Sequence, residues 1–169
     1  YKVTSGIYNS VAAYDSLTLN YGDQFRGEIM LDSVDNCLIA SCTRSTDFPT
    51  QSPFQAANAG MQDGVIFKLN SGLSTLQWSS YYGGSDNDAC YSLKVDSSQN
   101  VVFSGGTSSN DLPNMGTGWQ NTFNGGKADG FVAKLNTAGT TVTNASYIGT
   151  GNYDQAFFVE IDRDDNVFL

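Results

Sequence analysis

The chain repeats itself at an offset of 64 to 66, and this constrains its fold more than any other feature. Asp32-Ser-Val-Asp-Asn36 and Thr43-Arg-Ser45-Thr-Asp47-Phe48-Pro49 return at an offset of 64 as Asp96-Ser-Ser-Gln-Asn100 and Thr107-Ser-Ser109-Asn-Asp111-Leu112-Pro113. Phe54-Gln55 returns as Trp119-Gln120, at 65. Asp63-Gly-Val-Ile-Phe-Lys68-Leu69-Asn70 returns as Asp129-Gly-Phe-Val-Ala-Lys134-Leu135-Asn136, at 66, and Tyr81-Tyr-Gly83 as Tyr147-Ile-Gly149 at the same offset. A third copy opens with Asp162-Arg-Asp164-Asp165-Asn166, which stands to Asp96 as Asp129 stands to Asp63. The spacing grows through two single insertions in polar, Gly-containing stretches, where extra residues cost little. A fixed period of this size marks an array of like supersecondary units.

Each period holds four strand-like runs. In the second copy they are Cys90–Val95, Val101–Gly105, Gly130–Leu135 and Thr141–Ile148. Phe131, Ala133 and Leu135 alternate with Val132 and Lys134, the period of two that a strand requires. Asp96-Ser-Ser-Gln-Asn100 and Asn136-Thr-Ala-Gly139-Thr read as hairpin turns, with Asn as the residue that tolerates a left-handed conformation. No window carries a capped 3.6-residue period. The expected fold is all-β, with four antiparallel strands per period repeated head to tail as blades of a β-propeller. A β-solenoid is the runner-up, but its rungs are shorter. Residues 1–21 read as the end of a preceding unit, with Ser16–Gly22 as its last strand. Residues 22–82 form the first repeat, 83–148 the second, and 149–169 the start of a third. About two and a half blades do not close a ring of roughly four to eight. Both ends therefore read as cuts in a longer chain.

Composition narrows the function. The net charge is −9, from 8 basic and 17 acidic residues. That argues against nucleic acid, which needs clustered Lys and Arg. No apolar run approaches the ~20 residues of a membrane span, so membrane insertion is not expected. The sequence has no His, which removes Ser-His-Asp, Cys-His and His-ligated metal chemistry from this stretch. Three Cys (Cys37, Cys42 and Cys90) cannot all pair with one another. Cys37 and Cys42, five apart, point to opposite faces of one strand. They read as partly buried thiols that pack as small hydrophobes, with a bridge from Cys90 to one of them as the alternative.

Taken in order, Tyr82-Gly-Gly-Ser-Asp-Asn-Asp88, Asp96-x-x-x-Asn100, Thr107-x-Ser109-x-Asp111-Leu-Pro113 and Asp129-Gly-Phe-Val-Ala-Lys-Leu135 resemble the SBBP repeat. This is the β-propeller repeat of large bacterial surface proteins. The resemblance spans residues 21–169. The first copy departs from it at Tyr21-Gly22-Asp23 and at Ala40-Ser41-Cys42. It implies an exported, cell-surface or extracellular module of the kind that occurs in Bacteroidetes. There such repeats accompany adhesion-like modules and a C-terminal sorting domain for type IX secretion. The partners it implies are another protein or a glycan at the cell surface, the secretion machinery, and the rest of the same propeller. It implies no defined catalytic activity and no cofactor.

Few residues are candidates for chemistry. Asp162, Asp164 and Asn166 place oxygen ligands at alternate positions, as at the start of a Ca²⁺ loop. The plainer reading is a hairpin turn in which Asp162 accepts backbone N–H bonds. Phe54 and Trp119 lie on the long connection, where aromatics stack on sugars or cap a core. Asp86, Asp88 and Asp154 sit beside Gly-rich turns and Asp63 and Asp129 begin strands, and the recurrence of Asp63 as Asp129 and of Asp88 as Asp154 fits loop fixing better than catalysis. Lys68 and Lys134 are expected to pair with a carboxylate. Gly105-Gly106 and Gly125-Gly126 have no phosphate-binding context. Asn144-Ala-Ser146, Asp15-Ser16-Leu17 and Asp32-Ser33-Val34 match short glycan-acceptor patterns. The function expected is a non-catalytic structural or recognition scaffold. A carbohydrate-binding propeller is the alternative, and a carboxylate-based hydrolase a third reading.

Overall fold

Short polar turns punctuate alternating apolar runs, and each run becomes a strand. The computed structural model describes residues 27–169. Within them β1 (Glu28–Leu31), β2 (Cys37–Thr43), β3 (Asp63–Leu69) and β4 (Leu76–Tyr82) form one antiparallel sheet in sequence order. A second sheet of the same order contains β5 (Asp88–Val95), β6 (Val101–Thr107), β7 (Asp129–Leu135) and β8 (Val142–Ile148). A two-stranded sheet follows, from β9 (Glu160–Ile161) and β10 (Val167–Phe168). The described residues contain no helix, and so none long and apolar enough to cross a membrane. The fold is thus all-β, with four antiparallel strands in each complete sheet. The tail of a preceding unit expected at residues 1–21, the departure at Tyr21–Asp23 and the Asp15–Leu17 pattern lie outside the described residues.

The turns show why the strands stop where they do. Asp32 Oδ1 accepts from Val34 N and Asn36 N (3.0 and 2.9 Å). Asp96 Oδ1 does the same for Ser98 N and Asn100 N, and Asp162 Oδ1 for Asp164 N and Asn166 N. The left-handed residue is not the Asn. It is the fourth residue of each turn, Asp35, Gln99 or Asp165, with φ of 64°, 64° and 61°. The Asn instead turns its amide back onto the Asp carboxylate, at 2.9 Å in each case. This second bond fixes Asn and leaves its neighbour to absorb the reversal. In the other hairpin the reversal falls on Leu73 (φ 54°) in the first sheet and on Gly139 (φ 73°) in the second.

The core lies between the sheets. Alternation puts Leu38, Ala40, Ile66, Trp78 and Tyr82 on the back of the first sheet. Val101, Phe103, Phe131, Ala133, Leu135 and Tyr147 lie on the front of the second, in one buried cluster with them. Tyr82 is fully buried, and its ring meets Phe103 and Phe131 at 5.0 and 5.1 Å. Gly139 lets its turn approach Trp78. A Cβ there would collide with the indole ring.

Hydrogen bonds at equivalent positions join successive sheets. Asp88 N donates to Gln62 O (2.6 Å), and one period later Asp154 N donates to Ala128 O (2.8 Å). Leu93 N donates to Glu28 Oε2 (2.7 Å), and Val159 N to Ser92 Oγ (3.1 Å). Ser33 Oγ donates to Gln99 Oε1 (3.0 Å), and Ser97 N to Asp165 Oδ1 (2.9 Å). The second sheet therefore sits on the first as the third pair of strands sits on the second.

Candidate functional site

The polar chemistry is concentrated where the chain leaves one sheet for the next. Asp63 opens β3, Asp88 opens β5, and Gly83 runs between them. Both carboxylates are fully buried. A Cβ on Gly83 would lie 2.7 Å from Asp63 Oδ1 and 2.9 Å from Asp88 Oδ2, so only glycine fits. Asp88 Oδ2 accepts from Gly84 N and Ser109 Oγ (2.8 and 2.9 Å), and its Oδ1 accepts from Thr107 Oγ1. Asp63 Oδ2 accepts from Gln55 Nε2 and Ala59 N (2.8 and 2.9 Å), while Oδ1 has no partner.

Burial drives the electrostatics of this pair. It pushes the Asp88 pKa up to about 7 against the bonds from Thr107, Gly84 and Ser109, and the Asp63 charge adds to the rise. Burial also raises Asp63 above the ordinary carboxylate range. The arrangement recurs. Asp129, buried and raised, has an unpartnered Oδ1 beside Gly149, and the charge of Asp154 adds to its rise.

The residue that organises each crossover carries little signal in the sequence. Gln55 Oε1 accepts from Gly83 N (3.1 Å), its Nε2 reaches Asp63, and its backbone N bonds Ser80 Oγ. Gln120 repeats this with Gly149 N (3.2 Å) and Ser146 Oγ (2.9 Å). All that marks it is that it follows an aromatic in both copies. The tyrosines act alike. Tyr81 OH donates to Ser45 O and accepts from Phe48 N, and Tyr147 OH does so with Ser109 O and Leu112 N. They pin the long connection to the fourth strand.

Lys68 and Lys134 pair as expected. Each Nζ lies 2.6 Å from the turn carboxylate beneath it, Asp32 or Asp96. For Asp32, burial works to raise the pKa, but the Lys68 and Asn36 bonds outweigh it and hold the carboxyl well below its usual range. Asp96 is lowered in the same way by Lys134 and Asn100. Replacing Asp96 by Ala strands two backbone donors and is expected to cost about 2–3 kcal/mol. Replacing the half-exposed Lys134 by Ala should cost under about 1 kcal/mol. Urea unfolding of both variants checks the ranking.

The other candidate residues separate. Asp162 spends both oxygens on its own turn, and its pKa is lowered by the Asn166 amide and backbone. Asp164 and Asn166 are exposed. Among the described residues no group of three or more Cys, Asp or Glu side chains converges to hold a metal. Phe54 packs edge-on against Tyr82 at 6.1 Å. Trp119, its counterpart, is 86% exposed. Ser33 of Asp32-Ser33-Val34 is tied to Gln99. A groove of about 270 Å³ lies on the back of the second sheet, lined by Val102, Val132, Ala133, Lys134 and Ala145 and by Val167 of β10.

No family model matches the chain, and no curated protein matches it.

Proposed function

We propose that this chain is a non-catalytic arc of β-propeller in an exported bacterial surface protein, where it serves as a rigid scaffold for structure or recognition. The observation that supports this most is that three hydrogen-bonded contacts between the first and second sheets return at equivalent positions between the second sheet and the strands that follow, one period on. A sandwich of two sheets has no use for a second, equivalent junction. In this reading β9 and β10 open a third blade, and its front face covers the groove at Val102 and Val132. The corresponding face of the first sheet, at Leu38 and Ile66, is covered by the second. Lys94 links the first strands of successive sheets, its Nζ 2.6 Å from Glu28 of β1 and 3.6 Å from Glu160 of β9. Such a charge ladder suits strands gathered about one axis.

The exported setting comes from the resemblance, and surface biotinylation of intact native cells tests it. The parent polypeptide should be labelled before lysis. Labelling only after lysis would contradict the placement.

Glycan recognition is a second reading, favoured by the exposed ring of Trp119. An exposed loop aromatic contributes little to folding, so Trp119→Ala should change stability by less than about 0.5 kcal/mol. On a glycan array that variant should lose all binding. Binding equal to that of the parent protein sinks the lectin reading.

A further inference from the structure

We propose that Cys42 and Cys90 form a disulfide that staples the first sheet to the second under oxidising conditions. Alternation along β2 places Cys42 with Leu38 and Ala40 on the back face, against the second sheet, and Cys37 on the opposite face. Cys42 pairs with Gly64 across the β2–β3 ladder. The Cβ positions of directly opposed residues lie about 4.5–5.5 Å apart on one face. Gly64 has no side chain, and Cys90 of β5 fills the space. A Cβ on Gly64 would lie 2.5 Å from Cys90 Sγ and 3.2 Å from Cys90 N. Cys42 also packs against the cluster formed by Ala89 and Tyr91, the chain neighbours of Cys90.

Both cysteines thus border the Gly64 position, one from each sheet. A disulfide needs Cβ atoms about 3.5–4.5 Å apart, so forming it takes rotation of both side chains together with a backbone adjustment of β5 toward β2. Cys37 is buried on the far side and takes no part. The equivalent positions of the next junction are Gly106 and Ala156, so the staple belongs to the first junction alone.

The chemistry balances with a small-molecule disulfide as oxidant. The half-exposed Cys42 thiolate attacks oxidised glutathione, forms a mixed disulfide and releases one glutathione. The Cys90 thiolate then attacks the Cys42 sulfur and releases the second. Two protein thiols are oxidised and one disulfide is reduced to two thiols. Burial pushes the Cys90 thiol well up, so the second step is slow near neutral pH and quickens as pH rises.

The test incubates the folded, reduced protein with oxidised glutathione, alkylates remaining thiols, and maps peptides without reduction. The expected product joins Cys42 to Cys90 and leaves Cys37 unreacted until the protein is unfolded. The closed loop raises Tm by about 10 °C, reversed by dithiothreitol. Cys37→Ser still forms the bond. Cys42 held as a stable glutathione adduct, a bond that includes Cys37, or three intact thiols after prolonged oxidation would each overturn the proposal.

Discussion

Replacing Tyr82 by Ala is expected to cost about 3–5 kcal/mol, the largest loss expected of a single truncation in this fold. The ring is fully buried at the seam between the sheets, in contact with Phe54, Phe103 and Phe131. Its loss leaves a cavity bounded by both sheets, and neither can collapse without disturbing the other. Tyr82→Phe keeps the ring and gives up only a long bond to Pro113 O (3.4 Å), so it should cost under about 1 kcal/mol. Urea unfolding followed by tryptophan fluorescence reads both. The loss should also appear as one cooperative transition. If Tyr82→Ala instead melts the first sheet and leaves the second folded, the seam is not a shared core.

The second large effect is on pH. Asp88 has a pKa near 7 in the folded chain, against a reference of 3.8. Between those values the native state keeps a proton that the unfolded chain has released. Stability therefore falls as pH rises through this window, by up to about 4 kcal/mol in all. Asp63 and Asp129 are raised by burial and act with the same sign. Asp32, Asp96 and Glu28 are held low, so their contribution is present at neutral pH and is lost as pH falls below their unfolded values. The optimum should lie at about pH 4–5, with a clear decline by about pH 8.

Asp88→Asn separates this site from the rest. Its amide can donate to Thr107 Oγ1, whose hydroxyl then turns to Ser109 O, 3.3 Å away. The variant mimics the protonated acid and should flatten the decline between about pH 5 and 8. An unchanged slope in Asp88→Asn would place the titration elsewhere.

The strands and turns are legible in the sequence because they depend on near neighbours. Phe131, Ala133 and Leu135 alternate with Val132 and Lys134, and the structure buries the first set against Tyr82 and its neighbours. The Asp-to-Asn turns and the lysine tethers are legible for the same reason, since each closes over a few residues or one hairpin. The left-handed residue differs from the expected Asn because the second bond, from the Asn amide to the Asp carboxylate, holds Asn in place. Spacing alone carries no sign of that bond. The buried pair is harder. Asp63 and Asp88 belong to different repeats and meet only because Gly83 carries the chain from one sheet to the next. Phe54 and Trp119 align in sequence yet differ in exposure, since Phe54 packs against the core between the sheets and Trp119 is 86% exposed.

A high-resolution structure of the native polypeptide bears most directly on the account. Successive four-stranded sheets should surround one axis, with β9 and β10 inside a complete third sheet whose front face buries Val102 and Val132. Finding that face open to solvent, or covered by a chain with no such sheet, would contradict the serial arrangement on which the proposed function rests.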